Sequence, residues 1–222
     1  MSSGKVSPGW KLVRAHVDAG RVIVGIDEVG RGSWAGPVTA AAVILPPLRR
    51  FVGINDSKLL APATRVALDK KIRAAALAVG VGWVSADELN EHGLSWAVKQ
   101  SGLRALEDML GGSAHVDHYD VVILDGNHNY LQAEFADEQD PRSSEVYVKA
   151  DQKIVPVAAA SIVAKVARDA YMVGLSAAYP AYDFASNKGY ICPAHARALT
   201  ELGPIDGVHR TSWRPFARAA DD

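Results

Sequence analysis

A strand-like run that ends in two adjacent acids constrains this chain more than any other feature. Residues 22–26 (Val-Ile-Val-Gly-Ile) have the composition of a buried strand, and Asp27 and Glu28 follow them directly. Two neighbouring carboxylates repel each other, and partial burial makes each of them costly to ionise. Such a pair persists most easily if a cation neutralises it. A polar hairpin turn after the strand is the alternative interpretation of the same residues.

The glycine-rich segment that follows the acids suits phosphate groups. Gly30, Arg31 and Gly32 supply accessible backbone N–H groups and one guanidinium. The segment is not a dinucleotide-binding fingerprint, because the third glycine and the following helix are missing. Acids that can bind a metal, next to a loop that can bind phosphate, favour phosphoryl-transfer chemistry.

Composition indicates a globular class but no activity. The chain has 222 residues, 49% of them hydrophobic and 22% charged, which predicts one domain with a real core. The lone Cys192 cannot form an internal disulfide, no apolar run approaches about 20 residues, and no signal peptide is evident. We therefore expect a cytoplasmic protein with no membrane association. The net charge of −1 neither indicates nor excludes a nucleic-acid partner.

Hydrophobic patterning predicts an α/β fold. We expect a flexible N-terminus over residues 1–20 and one domain over 21–222, with a helical and loop element from about residue 175. Strands alternate with helices after an initial antiparallel hairpin, which favours a mixed sheet flanked by helices. The predicted strands are 22–26, 38–45, 81–84, 121–124 and 145–149, and the predicted helices are 65–79 (stopped by Gly80), 85–110 (opened by a Ser85–Glu88 capping box) and 158–171.

Two further acids occupy positions like those of the first pair. Asp125 follows a predicted buried strand, and Asp151 lies between the last predicted strand and the alanine-rich helix. Ligands collect at strand ends in α/β sheets, and four carboxylates form a hard-oxygen set suited to Mg²⁺ or Mn²⁺. Taken singly, Asp125 also fits an Asx turn and Asp151 also fits a helix N-terminus.

An ordered series of motifs resembles the type 2 ribonucleases H, the ribonuclease HII family, from about residue 20 to 216. No single motif is specific, but six in the right order are. The motifs are GIDEVGRG (25–32), DSK (56–58), LDG (124–126), KAD (149–151), AAASIVAKVARD (158–169) and NKGY (187–190), followed by His195, Gly203-Pro204 and His209-Arg210.

The resemblance implies an RNase H-like mixed β-sheet flanked by helices, with a C-terminal helical element. It implies hydrolysis on the 5′ side of ribonucleotides, in RNA/DNA hybrids and at single ribonucleotides embedded in duplex DNA, leaving 3′-hydroxyl and 5′-phosphate ends. Two divalent ions can activate a water and stabilise the leaving oxygen of an in-line displacement. A monomer is expected.

The resemblance also implies roles for particular residues. Its four metal-binding acids correspond to Asp27, Glu28, Asp125 and Asp151, and its ribose-sensing loop corresponds to Gly30, Arg31 and Gly32. Its aromatic platform for a sugar corresponds to Tyr190. The family often continues this last motif with Gly-Thr, whereas Ile191-Cys192-Pro193 follows here.

Other polar residues have two interpretations each. Ser57 and Lys58 are candidate phosphate contacts or a solvated turn. Ser161 and Lys165, four apart on a predicted helix, are candidate contacts to the substrate backbone or a packed serine and a snorkelling lysine.

His195 and His209 are predicted to be structural hydrogen-bonding residues rather than catalysts. Residues 214–222, with one phenylalanine and an acidic end, do not form a clear sliding-clamp motif. A type 3 ribonuclease H and a non-catalytic hybrid-binding protein are the rival functions. The four acids argue against the second rival, and the short segment before the first strand argues against the first.

Overall fold

A mixed five-stranded sheet lies at the centre of the structure, a computed structural model that describes residues 7–54, 57, 60–113, 116–137 and 139–213. The strand order is β3-β2-β1-β4-β5. β1–β2 and β2–β3 are antiparallel, whereas β1–β4 and β4–β5 are parallel, which confirms the predicted mixed sheet. The strands are β1 Ile23–Val29, β2 Val38–Ile44, β3 Ala78–Val84, β4 Val121–Asp125 and β5 Ser143–Tyr147.

Helices cover both faces of the sheet. α4 packs on one face, where Met109 meets alternate residues of the central strands such as Val24 and Ile26. α5 packs on the other face, where Ala159 meets Ala41. The α-helices are α1 Arg14–Asp18, α2 Pro62–Ala75, α3 Ala86–His92, α4 Leu94–Gly111, α5 Val155–Ala178, α6 Phe184–Asn187 and α7 Pro193–Leu202.

The prediction that Gly80 stops a helix was wrong. α2 ends at Ala75, and Gly80 lies inside β3, which begins at Ala78. A Cβ at Gly80 would lie 2.2 Å from the Ala105 carbonyl oxygen, so glycine allows α4 to approach the sheet closely. The predicted helix 85–110 is interrupted at Gly93, whose φ of +84° ends α3 before α4 begins. The Ser85–Glu88 capping box is confirmed.

Short helical elements lie at both ends of the domain. Residues 7–20 contain a 3₁₀ turn at Lys11–Val13 and helix α1, and Val13 is buried against β1 and β4. Residues 1–6 lie outside the described residues. α5 runs beyond residue 175 to Ala178, and the C-terminal element then adds the 3₁₀ turn Pro180–Tyr182, α6 and α7. The last strand ends at Tyr147, so Val148 is not part of it.

Candidate active site

Strand register brings the first and third predicted acids side by side. Ile26 of β1 pairs in parallel with Leu124 of β4, so the next residues, Asp27 and Asp125, lie on neighbouring strands. The expectation that the Asp27–Glu28 pair follows the strand was wrong, because β1 continues to Val29 and its antiparallel pairing with β2 continues with it. Both acids are therefore fixed by sheet hydrogen bonds instead of by a turn.

A backbone hydrogen bond connects the fourth acid to this pair. The Ala150 amide donates to Asp125 Oδ1 at 2.6 Å, which holds the 3₁₀ turn Ala150–Gln152 against the end of β4. Asp151 lies in this turn and is buried. Lys149 enters the turn with a φ of +58°, a left-handed conformation that redirects the chain from β5 towards α5.

The acids interact electrostatically. Burial raises the pKa of Asp27 well above its ordinary value, and the negative charges of Glu28, Asp125 and Asp151 raise it further. A hydrogen bond from Ser161 opposes these effects. Burial also raises the pKa of Glu28, and the hydrogen bond from Arg31 partly offsets that rise. This cluster of repelling carboxylates would be stabilised by additional positive charge.

The donor chemistry of the cluster fits a hard divalent cation, although its side chains are engaged elsewhere. Arg31 Nη1 donates to Glu28 Oε1 at 2.9 Å, while the buried Glu28 Oε2 has no hydrogen-bond partner. Asp27 Oδ1 accepts from the Glu28 amide at 2.8 Å. Among the described residues, no three Asp, Glu, His or Cys side chains are placed to hold one metal ion as they stand.

A cleft of about 330 Å³ contains several of the predicted substrate contacts. Ser57 and Ser161 share a hydrogen bond of 2.9 Å between their hydroxyl oxygens, and both are buried. Ser161 thus contacts an acid as well as Ser57, a role that the sequence did not suggest. Lys58 lies outside the described residues. The cleft is lined by Asp27, Glu28, Val29, Ser57, Ser161, Lys165 and Tyr190.

Lys165 and Tyr190 also line this cleft. Lys165 Nζ donates to Asp169 Oδ1 at 2.7 Å, one turn further along α5. Tyr190 keeps 37% of its surface exposed, and its ring lies 5.5 Å from the guanidinium of Arg168. A ring that is supported beneath and open to the cleft is suited to stacking.

The two glycines of the predicted ribose-sensing loop have different structural roles. Gly30 is buried with a φ of +92°, and a Cβ there would lie 2.3 Å from Arg168 Nε. Gly32 is exposed, and a Cβ there would meet nothing within 4 Å. The close packing of Arg168 therefore requires a glycine at position 30. Within the described residues no neighbour requires a glycine at position 32, so its small size would matter for a bound ligand.

Two buried arginines that the sequence analysis did not single out hold this loop. Arg168 donates to the carbonyl oxygens of Pro37 and Ala35 at 2.9 and 3.1 Å. Arg210 donates to those of Gly36 and Arg31 at 2.9 and 3.0 Å. Burial lowers the pKa of Arg210 to about 9, so it remains charged at neutral pH. Arg168 also donates to the Ser33 hydroxyl at 2.7 Å. Both arginines lie within the quoted motifs, but the sequence does not distinguish a buried arginine that binds mainly backbone carbonyls from an exposed one.

Tyr130 is a further residue that the sequence analysis missed. Its hydroxyl is buried without a hydrogen-bond partner, and burial raises its pKa well above the ordinary value, with the charges of Glu28 and Asp27 raising it further. Tyr130 also lines a second cavity of about 690 Å³, together with Arg31 and Asp125. The acids therefore lie between two openings on the surface.

Comparison with known proteins identifies the family. The sequence model for ribonuclease HII matches residues 24–216. The chain belongs to the ribonuclease HII family. It is 41% identical over 206 residues to ribonuclease HII of Streptomyces griseus, covering 91% of this chain and 81% of that protein. It is 42% identical over 207 residues to ribonuclease HII of Roseiflexus castenholzii, covering 90% and 85%. The chain is thus a ribonuclease H, an endonuclease that acts on nucleic acid.

Solved structures show the same fold. Ribonuclease H2 from Pyrococcus horikoshii has a TM-score of 0.71 at 23% identity, covering 90% of this chain and 97% of that one. The RNase HII of Archaeoglobus fulgidus, solved as a complex with PCNA, has a TM-score of 0.71 at 26% identity, covering 87% and 95%. Bst-RNase HIII in complex with Mn²⁺ has a TM-score of 0.65 at 21% identity, covering 90% and 70%.

These comparisons exclude the type 3 alternative, because the family model and the curated relatives are type 2 enzymes. The type 3 structure shares only the fold. None of the helices in the described part of the chain has the length and apolarity needed to cross a membrane.

Proposed function

We propose that this ribonuclease HII homologue hydrolyses the phosphodiester on the 5′ side of ribonucleotides. The substrates are RNA/DNA hybrids and single ribonucleotides embedded in duplex DNA, and the products carry 3′-hydroxyl and 5′-phosphate ends. The observation that carries the proposal is the clustering of mutually repelling acids from β1, β4 and the Ala150–Gln152 turn, two of them buried (Asp27 and Asp151), beside a cleft that Tyr190 lines. A non-catalytic hybrid-binding protein would not need to bury such an unfavourable cluster.

The acids would hold Mg²⁺ or Mn²⁺, with two ions expected when substrate is bound. Asp27, Glu28, Asp125 and Asp151 are the candidate ligands, and the orphaned Oε2 of Glu28 supports this assignment. When bound, such ions supply an activated water and charge stabilisation at the leaving oxygen. The solved Mn²⁺ complex of Bst-RNase HIII supports divalent ions as the ligand class.

The surrounding residues prepare this site. Ser161 orients Asp27 through a hydrogen bond, with Ser57 behind it at 2.9 Å. The side chain of Arg31 is 59% exposed, so it can turn from Glu28 to a substrate phosphate, which its planar fork binds through two N–H groups. Lys165 and Tyr190 face the same cleft and would contact the strand that is cut.

Ribose selection is assigned to the Gly30-Arg31-Gly32 loop. The open space around Gly32 lets backbone groups approach a 2′-hydroxyl, the group that separates RNA from DNA at one position. A site whose polar groups pair with a hydroxyl discriminates strongly against an analogue that lacks it, since those groups are then left unpaired.

The first test is metal-dependent nicking of a duplex with one embedded ribonucleotide, with Mg²⁺ and with Mn²⁺. Asp125→Asn should reduce cutting by more than about 100-fold, the upper loss expected for an outer-shell partner of a metal. The fold should survive, because an asparagine oxygen can still accept from the Ala150 amide. Asp117→Asn, at an exposed acid, is the matched control. Full activity of Asp125→Asn, or binding without cutting by the wild type, would refute the proposal.

The second test separates the loop's chemistry from its packing. Gly32→Val should leave thermal stability unchanged, since its Cβ meets no neighbour, yet reduce ribose-dependent cutting. Arg31→Ala should weaken binding through a lost phosphate contact, and its defect should shrink as salt rises. Equal cutting of matched ribose and deoxyribose substrates by the wild type would show that the loop is not the sensor.

A cytoplasmic monomer completes the proposal, and size-exclusion chromatography with light scattering would test the monomeric state. The candidate region for a clamp-binding peptide, residues 214–222, lies outside the described residues. A pull-down with the purified sliding clamp tests that separate question.

A further inference from the structure

Two buried histidines form a continuous hydrogen-bond chain that ends on the main chain of Tyr190. His195 Nδ1 lies 3.0 Å from the Tyr190 carbonyl oxygen, and His195 Nε2 lies 3.1 Å from His209 Nε2. The Ile205 amide donates to His209 Nδ1 at 2.8 Å. Both histidine side chains are fully buried, and neither is needed for the chemistry proposed above.

The two ends of the chain fix the proton on every nitrogen between them. A backbone N–H can only donate, so His209 Nδ1 must accept from Ile205 and His209 must carry its proton on Nε2. That proton is donated to His195 Nε2, which must therefore be bare. His195 then carries its proton on Nδ1 and donates it to the Tyr190 carbonyl, which can only accept. Both rings are neutral in this arrangement, each in a defined tautomer.

The surroundings favour neutral rings. Tyr182 and Phe184 pack against both histidines, with the ring centroids of Phe184 and His195 5.5 Å apart. Burial lowers the pKa of both imidazoles, and the proximity of His195 lowers that of His209 further. Both imidazoles therefore stay uncharged at neutral pH, and the hydrogen bonds between them are kept.

The same segment also binds the glycine-rich loop. His209 forms an antiparallel bridge with Ala35, and the Gly36 amide donates to the Val208 carbonyl at 2.8 Å. The Trp34 amide donates to the Gly189 carbonyl at 2.8 Å, immediately before Tyr190. The His195–His209 chain thus closes a ring of contacts between the candidate ribose-sensing loop and the Tyr190 platform.

We propose that His195 and His209 are positioning residues that set the placement of the Tyr190 ring relative to the Gly30-Arg31-Gly32 loop. This inference rests on the proposed function, because it assumes that Tyr190 contacts the substrate. A fixed spacing between loop and platform would match one sugar to the loop and the next sugar to the ring. Removing the hydrogen bonds of His195 and His209 should loosen the spacing between the loop and the Tyr190 ring while leaving the acids unaffected.

The tautomers can be measured in the wild-type protein, with variants used only to assign the signals. The chain has seven histidines. Two-bond ¹H–¹⁵N correlation spectra should show His195 protonated on Nδ1 and His209 protonated on Nε2, with the two rings assigned from the spectra of His195→Gln and His209→Gln. Detection of both rings in the same tautomer, or of a charged ring at pH 7, would overturn the proposed hydrogen-bond chain from Ile205 through His209 and His195 to Tyr190, called the relay below.

A matched pair of substitutions tests the function of the relay. His195→Gln keeps one donor and one acceptor, whereas His195→Leu has neither and leaves the Tyr190 carbonyl and the His209 N–H unpaired. On a duplex with one ribonucleotide, His195→Leu should raise KM about tenfold with a much smaller effect on kcat. A displaced Tyr190 ring would lose part of its stacking contact, and a loss of about tenfold lies within what one aromatic stacking contact contributes. His195→Gln should recover most of the loss. His118→Asn, at an exposed histidine, is the control.

A double-mutant cycle with Tyr190→Ala separates the positioning role of His195 from the substrate contact of Tyr190. If His195 acts through the platform, the double variant should be no worse than Tyr190→Ala alone. Additive losses, or equal losses for the Gln and Leu variants, would refute the relay while leaving the platform in place. If Tyr190→Ala cuts normally, the platform in the proposed function fails instead, and the tautomer measurement still decides whether the relay exists.

Discussion

Acidification should destabilise the fold through His209, and the size of the effect can be worked out from its pKa. Burial and the neighbouring His195 lower that pKa from 6.5 to about 4. Below pH 6.5 the unfolded chain therefore binds a proton at this position that the folded chain does not. Folding stability from this group is complete above pH 6.5, falls as the pH drops, and stops falling below about pH 4.

The magnitude follows from the same two values. The full difference corresponds to about 3 kcal/mol, of which about 2 kcal/mol is lost by pH 5. Asp27 and Glu28, whose pKa values are raised, bind protons in the folded state first and so act in the opposite direction. The wild type must therefore be compared with a variant that keeps both acids, so that the contribution of His209 to the pH dependence of stability can be separated from theirs.

Urea unfolding followed by tryptophan fluorescence at several pH values provides that comparison. The variant His209→Gln cannot titrate at this position, so its stability should fall less steeply from pH 7 to pH 4. The difference in unfolding free energy between the wild type and His209→Gln should be about 2 kcal/mol smaller at pH 5 than at pH 7. Parallel stability curves would refute the reasoning, because they would show that His209 titrates normally in the folded state.

Four further substitutions are predicted for their effect on stability, measured by thermal or urea unfolding. Cys192→Ser should stabilise the protein by about 1 kcal/mol, since the Cys192 sulfur caps α7 only weakly at 3.5 Å, and a decrease would show that the thiol packs specifically. Tyr130→Phe should be neutral or stabilising, because the hydroxyl is buried without a partner; a clear loss would reveal one. Gly82→Ala should cost about 1–3 kcal/mol, because its Cβ would lie 2.0 Å from the Ser101 carbonyl oxygen. Gly174→Ala, whose Cβ meets nothing within 4 Å, should instead stabilise α5 by about 0.5–1 kcal/mol, and equal effects at the two glycines would contradict this account.

The sequence predicted the central strands and the long α5 because their signals are local. Val121–Asp125 is a continuous apolar run ending in an acid, and α5 is a long alanine-rich segment. The boundary near Gly80 could not be predicted in the same way. Glycine ends many helices, but here it serves the approach of α4, which is a tertiary contact between residues about 25 positions apart in the chain.

The sequence pointed to four acids, whose role as metal ligands stays a prediction, but it did not point to the residues that support them. Asp27, Glu28, Asp125 and Asp151 stand out because carboxylates beside buried strands are unusual. Sequence could not show that Glu28 pairs with Arg31, because a guanidinium three residues away has many alternative partners. The sequence analysis predicted structural hydrogen bonds for His195 and His209, but not that the two rings bond to each other and to the Tyr190 carbonyl. The outer partners are backbone groups, which every residue carries.

The buried arginines Arg168 and Arg210 have a thermodynamic consequence for binding. Each guanidinium holds two carbonyls of the segment 31–37, which continues from the candidate ribose-sensing loop. The conformational entropy of this segment is therefore lost during folding and not when nucleic acid arrives. A preshaped loop avoids that cost at the moment of association. Association through this loop should therefore show only the small heat-capacity change of rigid-body docking, without the larger change that accompanies coupled folding.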